Sequence, residues 1–220
     1  MPQSFPEPKA EPRWPVALSI LVVLVLLILM PNRVRLAPSW VLYVAGVPVL
    51  APLAVVAMRP QSMLWPRIER MVILAFTGIA AVANLAILSE LIVDMLRRSK
   101  SVGGLELLSS SIAVWATNVL MFSLLYWQLD RGGPGLRASS APARPDWIFP
   151  PDQAPESVQP GWRPQFIDYL FLGFSTATAF STTDALPLTG RAKLAMMTES
   201  AVSLVTLVVV AARAINILGS

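Results

Sequence analysis

Six oxygen-bearing side chains crowd into nine residues of this chain: Thr176, Thr178, Ser181, Thr182, Thr183 and Asp184, with Phe180 among them. Hydroxyls at such spacing can replace part of an ion's hydration shell, and a carboxylate at their end draws cations. Three further carboxylates, Glu90, Asp94 and Glu199, stand in apolar surroundings where charge is costly. Catalytic chemistry is poorly supplied by contrast. There is no cysteine and no histidine, so thiolate and imidazole are missing as nucleophile, base and metal ligand. Gly103-Gly104 and Gly132-Gly133 lack the preceding strand and the Gly-Lys-Ser/Thr of a phosphate loop. No serine has a base at a spacing that suggests hydrolysis. The chain reads as a non-enzyme, without cofactor or metal centre.

The elements that must position these groups are membrane helices. Of 220 residues, 55% are hydrophobic and only 14% charged, too little charge for a typical soluble domain. The net charge of +4 fits arginines near lipid headgroups, not nucleic acid, since no basic helix is interleaved with aromatics. The sequence predicts an all-α integral membrane protein with five transmembrane helices and a re-entrant pore half-helix between the last two. Residues 1–13 are polar and proline-rich and read as a disordered tail. A three-helix membrane region follows over 14–100, with spans at Trp14–Met30, Trp40–Met58 and Met71–Met95. Pro48 and Pro52 kink the second. The first run could serve as a signal peptide, but the mixed charges before it and Pro31-Asn-Arg33-Val-Arg35 after it favour a retained helix.

Residues 101–220 form the second region. It holds an outer helix 102–128, a long external loop 130–165 rich in proline, a half-helix 166–180, a turn 181–189 and an inner helix 191–217. The half-helix is too short and too polar to cross a bilayer, which takes about 20 apolar residues. Irregular backbone at membrane depth persists only where it is buried in protein or lines a water-filled cavity. Trp147-Ile-Phe149 and Trp162 interrupt the loop and are expected to pin it to the membrane surface or to neighbouring helices. The basic cluster Arg97-Arg98-Lys100 is assigned to the cytoplasm, which puts the loop and the amino terminus outside and the carboxyl terminus inside. A multi-pass protein of the bacterial inner membrane follows.

The carboxylates admit more than one role. Glu90 and Asp94 share a helix face, and Arg98 follows Asp94 at the same spacing. They form either a headgroup-level ion pair or a cation-attracting patch. Glu199, about two turns into the last helix, must pair or face water. Arg213 reads as a snorkelling cation. Asn84 and Asn118 are mid-span amides suited to interhelical hydrogen bonds. Ser181 to Asp184 can equally form an ordinary polar turn capped by Asp184.

Thr176-Ala-Thr-Ala-Phe-Ser-Thr-Thr-Asp184, followed by Pro187, resembles the filter segment of the potassium-channel superfamily. Thr176 and Thr178 match its pore-helix threonines, Phe180 takes the valine place, and Asp184 and Pro187 match residues after the filter. The order of outer helix, loop, half-helix, turn and inner helix also agrees, over roughly residues 105–217. Ser181-Thr182-Thr183 replaces the family's Gly-Tyr-Gly, whose glycines allow stacked carbonyls to line the axis. Hydroxyl side chains of Thr178, Ser181, Thr182 and Thr183 are therefore the expected lining. The whole chain also resembles a second group, uncharacterised bacterial inner-membrane proteins known only as a domain of unknown function. That resemblance rests on Tyr126-Trp-Gln-Leu-Asp130-Arg-Gly-Gly133, Pro145-Asp-Trp-Ile-Phe-Pro150, Asp168-Tyr-Leu-Phe-Leu172, Thr176-Ala-Thr-Ala-Phe180 and Arg213-Ala-Ile-Asn216. It implies no activity.

The channel resemblance implies a small, non-canonical, cation-preferring ion channel or ion-permeable pore. It also implies a homo-oligomer, a tetramer if channel-like, in the lipid bilayer, with monovalent cations as candidate permeants. The alternative is a non-conducting scaffold or partner subunit that retains a pore-loop fold. A secondary transporter is a weaker third reading, because inverted repeats are missing.

Overall fold

The computed structural model describes residues 11–30, 39–58, 64–96, 104–137, 144–159, 161–178 and 185–218. Side chains are described for all of these but 39–43, 45, 94–96, 104–107 and 213–218. The described chain is mostly helical. Its elements are α1 (Trp14–Leu29), α2 (Ser39–Met58), α3 (Trp65–Leu96), α4 (Gly104–Leu129), α5 (Pro134–Arg137), β1 (Trp147–Ile148), α6 (Pro150–Gln153), α7 (Phe166–Thr178), β2 (Leu186–Pro187) and α8 (Gly190–Leu218).

Three of these helices hold stretches long and apolar enough to cross a membrane: Trp65–Val93, Leu108–Gly132 and Gly190–Ala212. At 1.5 Å per residue each exceeds the ~30 Å of a hydrocarbon core. α1 is apolar but has 16 residues, about 24 Å. It opens on Trp14-Pro15, with proline where no helical N–H is needed. It stops as Met30 turns extended (ψ 140°) ahead of Pro31, as a residue before proline must. The apolar part of α2 is Gly46–Met58, and Pro48 and Pro52 lie inside that helix.

α4 is the axis of the fold. It packs against α8, α7, α3 and α1, while α2 lies against α1 and α3. A buried apolar cluster fills the interior, polar groups are buried beside it, and apolar side chains also cover the outside. Asn84, Thr117, Asn118, Ser123, Glu199, Ser203 and Thr206 are buried, whereas Leu18, Val25, Ile79, Val82, Leu194, Met197, Leu204 and Val208 are exposed. Outward apolar faces on long apolar helices are what lipid requires, and the arrangement is compatible with a multi-pass membrane protein.

The 130–165 insert is not irregular throughout. α5, β1 and α6 lie within it, and Trp147 and Phe149 are buried. β1 pairs antiparallel with β2, Trp147 opposite Pro187 and Ile148 opposite Leu186. The end of the segment read as a tail is also held: Glu11 and Arg13 join ion pairs with Arg137 and Glu69. Residues 1–10 lie outside the described set.

Candidate functional site

The site begins where α4 ends. After Leu129 the chain turns through Asp130-Arg-Gly-Gly133, with Arg131, Gly132 and Gly133 all at positive φ (52°, 77° and 94°). Glycine adopts such angles freely, while Arg131 pays a small conformational cost. The reversal lets Arg137 of α5 reach back to α4. Its Nη1 donates to the Trp127 carbonyl at 2.7 Å and the Asp130 carbonyl at 2.9 Å, so a cation satisfies the last carbonyls of the helix. Trp127 donates to Glu11 at 2.6 Å, and Arg13 and Arg137 lie over its ring.

Asp130 and Asp146 make a clamp on this end. Asp130 Oδ1 accepts the Asp146 backbone N–H at 2.8 Å, and Oδ2 accepts the Tyr169 hydroxyl at 2.6 Å. Asp146 accepts Arg191 Nε at 2.7 Å, Arg191 Nη2 at 2.6 Å and the Thr189 hydroxyl at 2.6 Å. Its own carbonyl accepts the Leu188 N–H at 2.8 Å. Trp147 donates to the Met196 sulfur at 3.3 Å. Tyr169 lies in the first turn of α7, and Thr189 and Arg191 flank the start of α8. Both helices therefore start from one pair of carboxylates.

From that clamp α7 runs alongside α8, and Ser200 Oγ donates to the Thr176 carbonyl at 3.3 Å. α7 opens with Asp168 Oδ2 accepting the Gln165 N–H at 2.7 Å, a carboxylate on an otherwise orphan donor. The helix has 13 residues, about 20 Å. Thr176 is buried, and its hydroxyl donates to the Leu172 carbonyl at 2.7 Å. Thr178 is half-buried and donates to the Phe174 carbonyl at 3.0 Å.

Glu199 is fully buried between α4, α7 and α8. The Tyr126 hydroxyl donates to its Oε2. Asn118 Nδ2 donates to the Glu199 carbonyl at 3.3 Å and to Ser203 Oγ at 2.9 Å, which is the interhelical role expected of that amide. Gly173 makes the joint possible. A β-carbon built there would press on Ser123 Oγ, lie 3.2 Å from the Val119 carbonyl and lie 3.4 Å from Glu199 Oε1.

Of the residues predicted from sequence, Thr176 and Glu199 lie where α7 meets α8, and Thr178 ends α7. Glu90 is exposed on α3, away from them. Asp94 lies in α3, but its side chain is outside the described residues, as are Phe180, Ser181, Thr182, Thr183 and Asp184. Sequence reasoning passed over the clamp of Asp130, Asp146, Tyr169, Thr189 and Arg191. Both aspartates belong to an insert dominated by proline, and no local pattern links them to Arg191.

Burial pushes the Asp146 carboxyl up, but hydrogen bonds from Arg191 and Thr189 and the Arg191 charge outweigh it and hold it below the usual carboxylate range. A lowered folded value means its contribution to stability is complete above the ordinary value of 3.8 and is lost only as pH falls through the lower folded one. Thermal unfolding of wild type and Asp146→Asn across acid pH checks this. The variant is expected to be less stable at neutral pH, with the gap closing below the ordinary carboxylate value. A gap independent of pH would assign Asp146 a role other than its charge. Comparison with protein-family models, with curated proteins and with solved structures finds no match, so the resemblances drawn from sequence motifs stand on those residues alone.

Proposed function

We propose that this chain is a small, non-canonical, potassium-channel-like subunit. It forms a cation-preferring pore in the bacterial inner membrane. In this reading α1, α2, α3, α4 and α8 all cross, and α7 enters and returns as a re-entrant half-helix. One observation supports it above all: Tyr169 at the start of α7 and Arg191 at the start of α8 hold the same carboxylate pair, Asp130 and Asp146. α7 is too short to cross, and Thr176 already lies beside Ser200, well along α8. A segment that descends beside α8 and must rejoin it at its head has the geometry of a pore loop. Residues 179–184 would then carry the hydroxyls and Asp184 at the turn, and several copies would enclose the axis, four if the likeness to channels holds.

A second reading is favoured by one detail. The Thr176 and Thr178 hydroxyls bond back to carbonyls of their own helix, as expected of a non-conducting scaffold or partner subunit that keeps the fold.

The absence of cysteine makes the topology directly testable, since any introduced thiol is unique. Ile167, in the first turn of the half-helix, and Leu186, after it, are both exposed, and Ala212 is exposed toward the far end of α8. With a membrane-impermeant thiol reagent, Ile167→Cys and Leu186→Cys are expected to label from one side and Ala212→Cys from the other. Labelling of Ile167→Cys and Leu186→Cys from opposite sides would mean that α7 crosses, and would remove the pore loop.

A further inference from the structure

Glu69, Asp130, Asp146 and Glu199 are the buried carboxylates among the described residues. The first three each face a guanidinium: Arg13 at 3.0 Å, Arg131 at 3.6 Å and Arg191 at 2.6 Å. Glu199 has no cation beside it among the described residues, and Tyr126 of α4 is the titratable group that reaches it. The other titratable groups of the packed elements sit elsewhere. Asp168 and Tyr169 on α7 and Arg191 and Lys193 on α8 lie more than a turn nearer the clamp, and Glu90 on α3 is exposed.

Glu199 Oε1 has no hydrogen-bond partner among the described residues and lies against Gly173. A bare carboxylate in a membrane-buried joint is too costly to persist uncompensated. That charge must be offset where it stands. A hard metal cation takes about six oxygens. Beside Oε1 the joint offers Ser123 Oγ, whose proton goes to the Val119 carbonyl at 2.7 Å. A proton on Oε1 offsets the charge with no ligand beyond those the joint already holds.

We propose that Glu199 is a proton-binding site, a carboxylic acid seated between α4, α7 and α8 whose occupancy governs how α7 packs. Loss of the proton puts a bare charge against Gly173, five residues before Thr178. Thr176, on the same helix as Gly173, accepts at its carbonyl from Ser200, the neighbour of Glu199, and so ties the site to the hydroxyl cluster. The inference goes beyond conduction: it rests on the burial of Glu199 and survives or fails whatever the ion flux.

Infrared spectroscopy of the full chain in lipid, across the pH range in which it stays folded, tests it. Wild type is expected to show a carboxylic-acid C=O band that Glu199→Gln removes and Tyr126→Phe shifts, because Tyr126 donates to Oε2. Amide exchange over 166–178 is expected to rise in wild type at the pH where the band fades, and to stay independent of pH in Glu199→Gln. A band absent from wild type at every pH, or unchanged in Glu199→Gln, would overturn the proposal. Should Glu199→Gln fail to fold, an unmoved band in Tyr126→Phe would overturn it equally.

Discussion

Asp130→Ala is expected to destabilise the protein by about 3–5 kcal/mol, the cost of removing one partner from a buried charged network. The side chain is fully buried, and three elements depend on it. Without it the Asp146 N–H and the Tyr169 hydroxyl lose their acceptor, and each orphaned buried donor costs about 1–3 kcal/mol. Arg131 loses one of its two carboxylates, keeping Asp152 at 3.1 Å. Asp130→Asn keeps the shape and one acceptor oxygen, so it should cost less than the alanine. Unfolding in mixed micelles checks both. A loss under about 1 kcal/mol for Asp130→Ala would show that the insert and the heads of α7 and α8 are held by packing, not by this clamp.

Gly173→Val is expected to cost about 3 kcal/mol, the upper end for overpacking a tight joint. The new β-carbon would strike Ser123 Oγ and crowd the Val119 carbonyl at 3.2 Å. Backbone cannot yield as a flexible side-chain tip can. The milder Gly173→Ala meets the same Ser123 oxygen first, so pairing it with Ser123→Gly should recover part of the loss. Non-additivity of contacting residues is what a double-mutant cycle measures. Strict additivity would mean that α4 and α7 do not meet at this point.

The elements of this fold were legible where composition alone dictates structure. The apolar runs of α3, α4 and α8 announce themselves by length, and the proline content of the 130–165 insert announces a break between helices. The short helix α7 was legible too, because Tyr169 to Thr178 is too short and too polar to be another span. The clamp was not. Asp130 and Asp146 are 16 residues apart, and Arg191 is 45 from Asp146. Nothing in local spacing says that three such residues share one point. Proline-rich sequence also hid the burial of Trp147 and Phe149, since disfavouring helix and strand is not the same as lacking a packed position. Glu199 was visible as a costly charge, but only its packing distinguishes a lone carboxyl beside Gly173 from one of the paired acids. The same holds for Glu11 and Arg13, whose partners Arg137 and Glu69 are far along the chain.

Ion flux in liposomes, with wild type beside Asp184→Asn under K⁺, Na⁺ and Cl⁻ gradients, tests the proposed pore most directly. The pore reading predicts cation flux through wild type, little chloride flux, and a marked fall in cation flux in the variant, because Asp184 stands just after the filter-like hydroxyls. Well-folded wild-type protein that passes neither K⁺ nor Na⁺, or cation flux unaltered by Asp184→Asn at equal reconstitution, would contradict it.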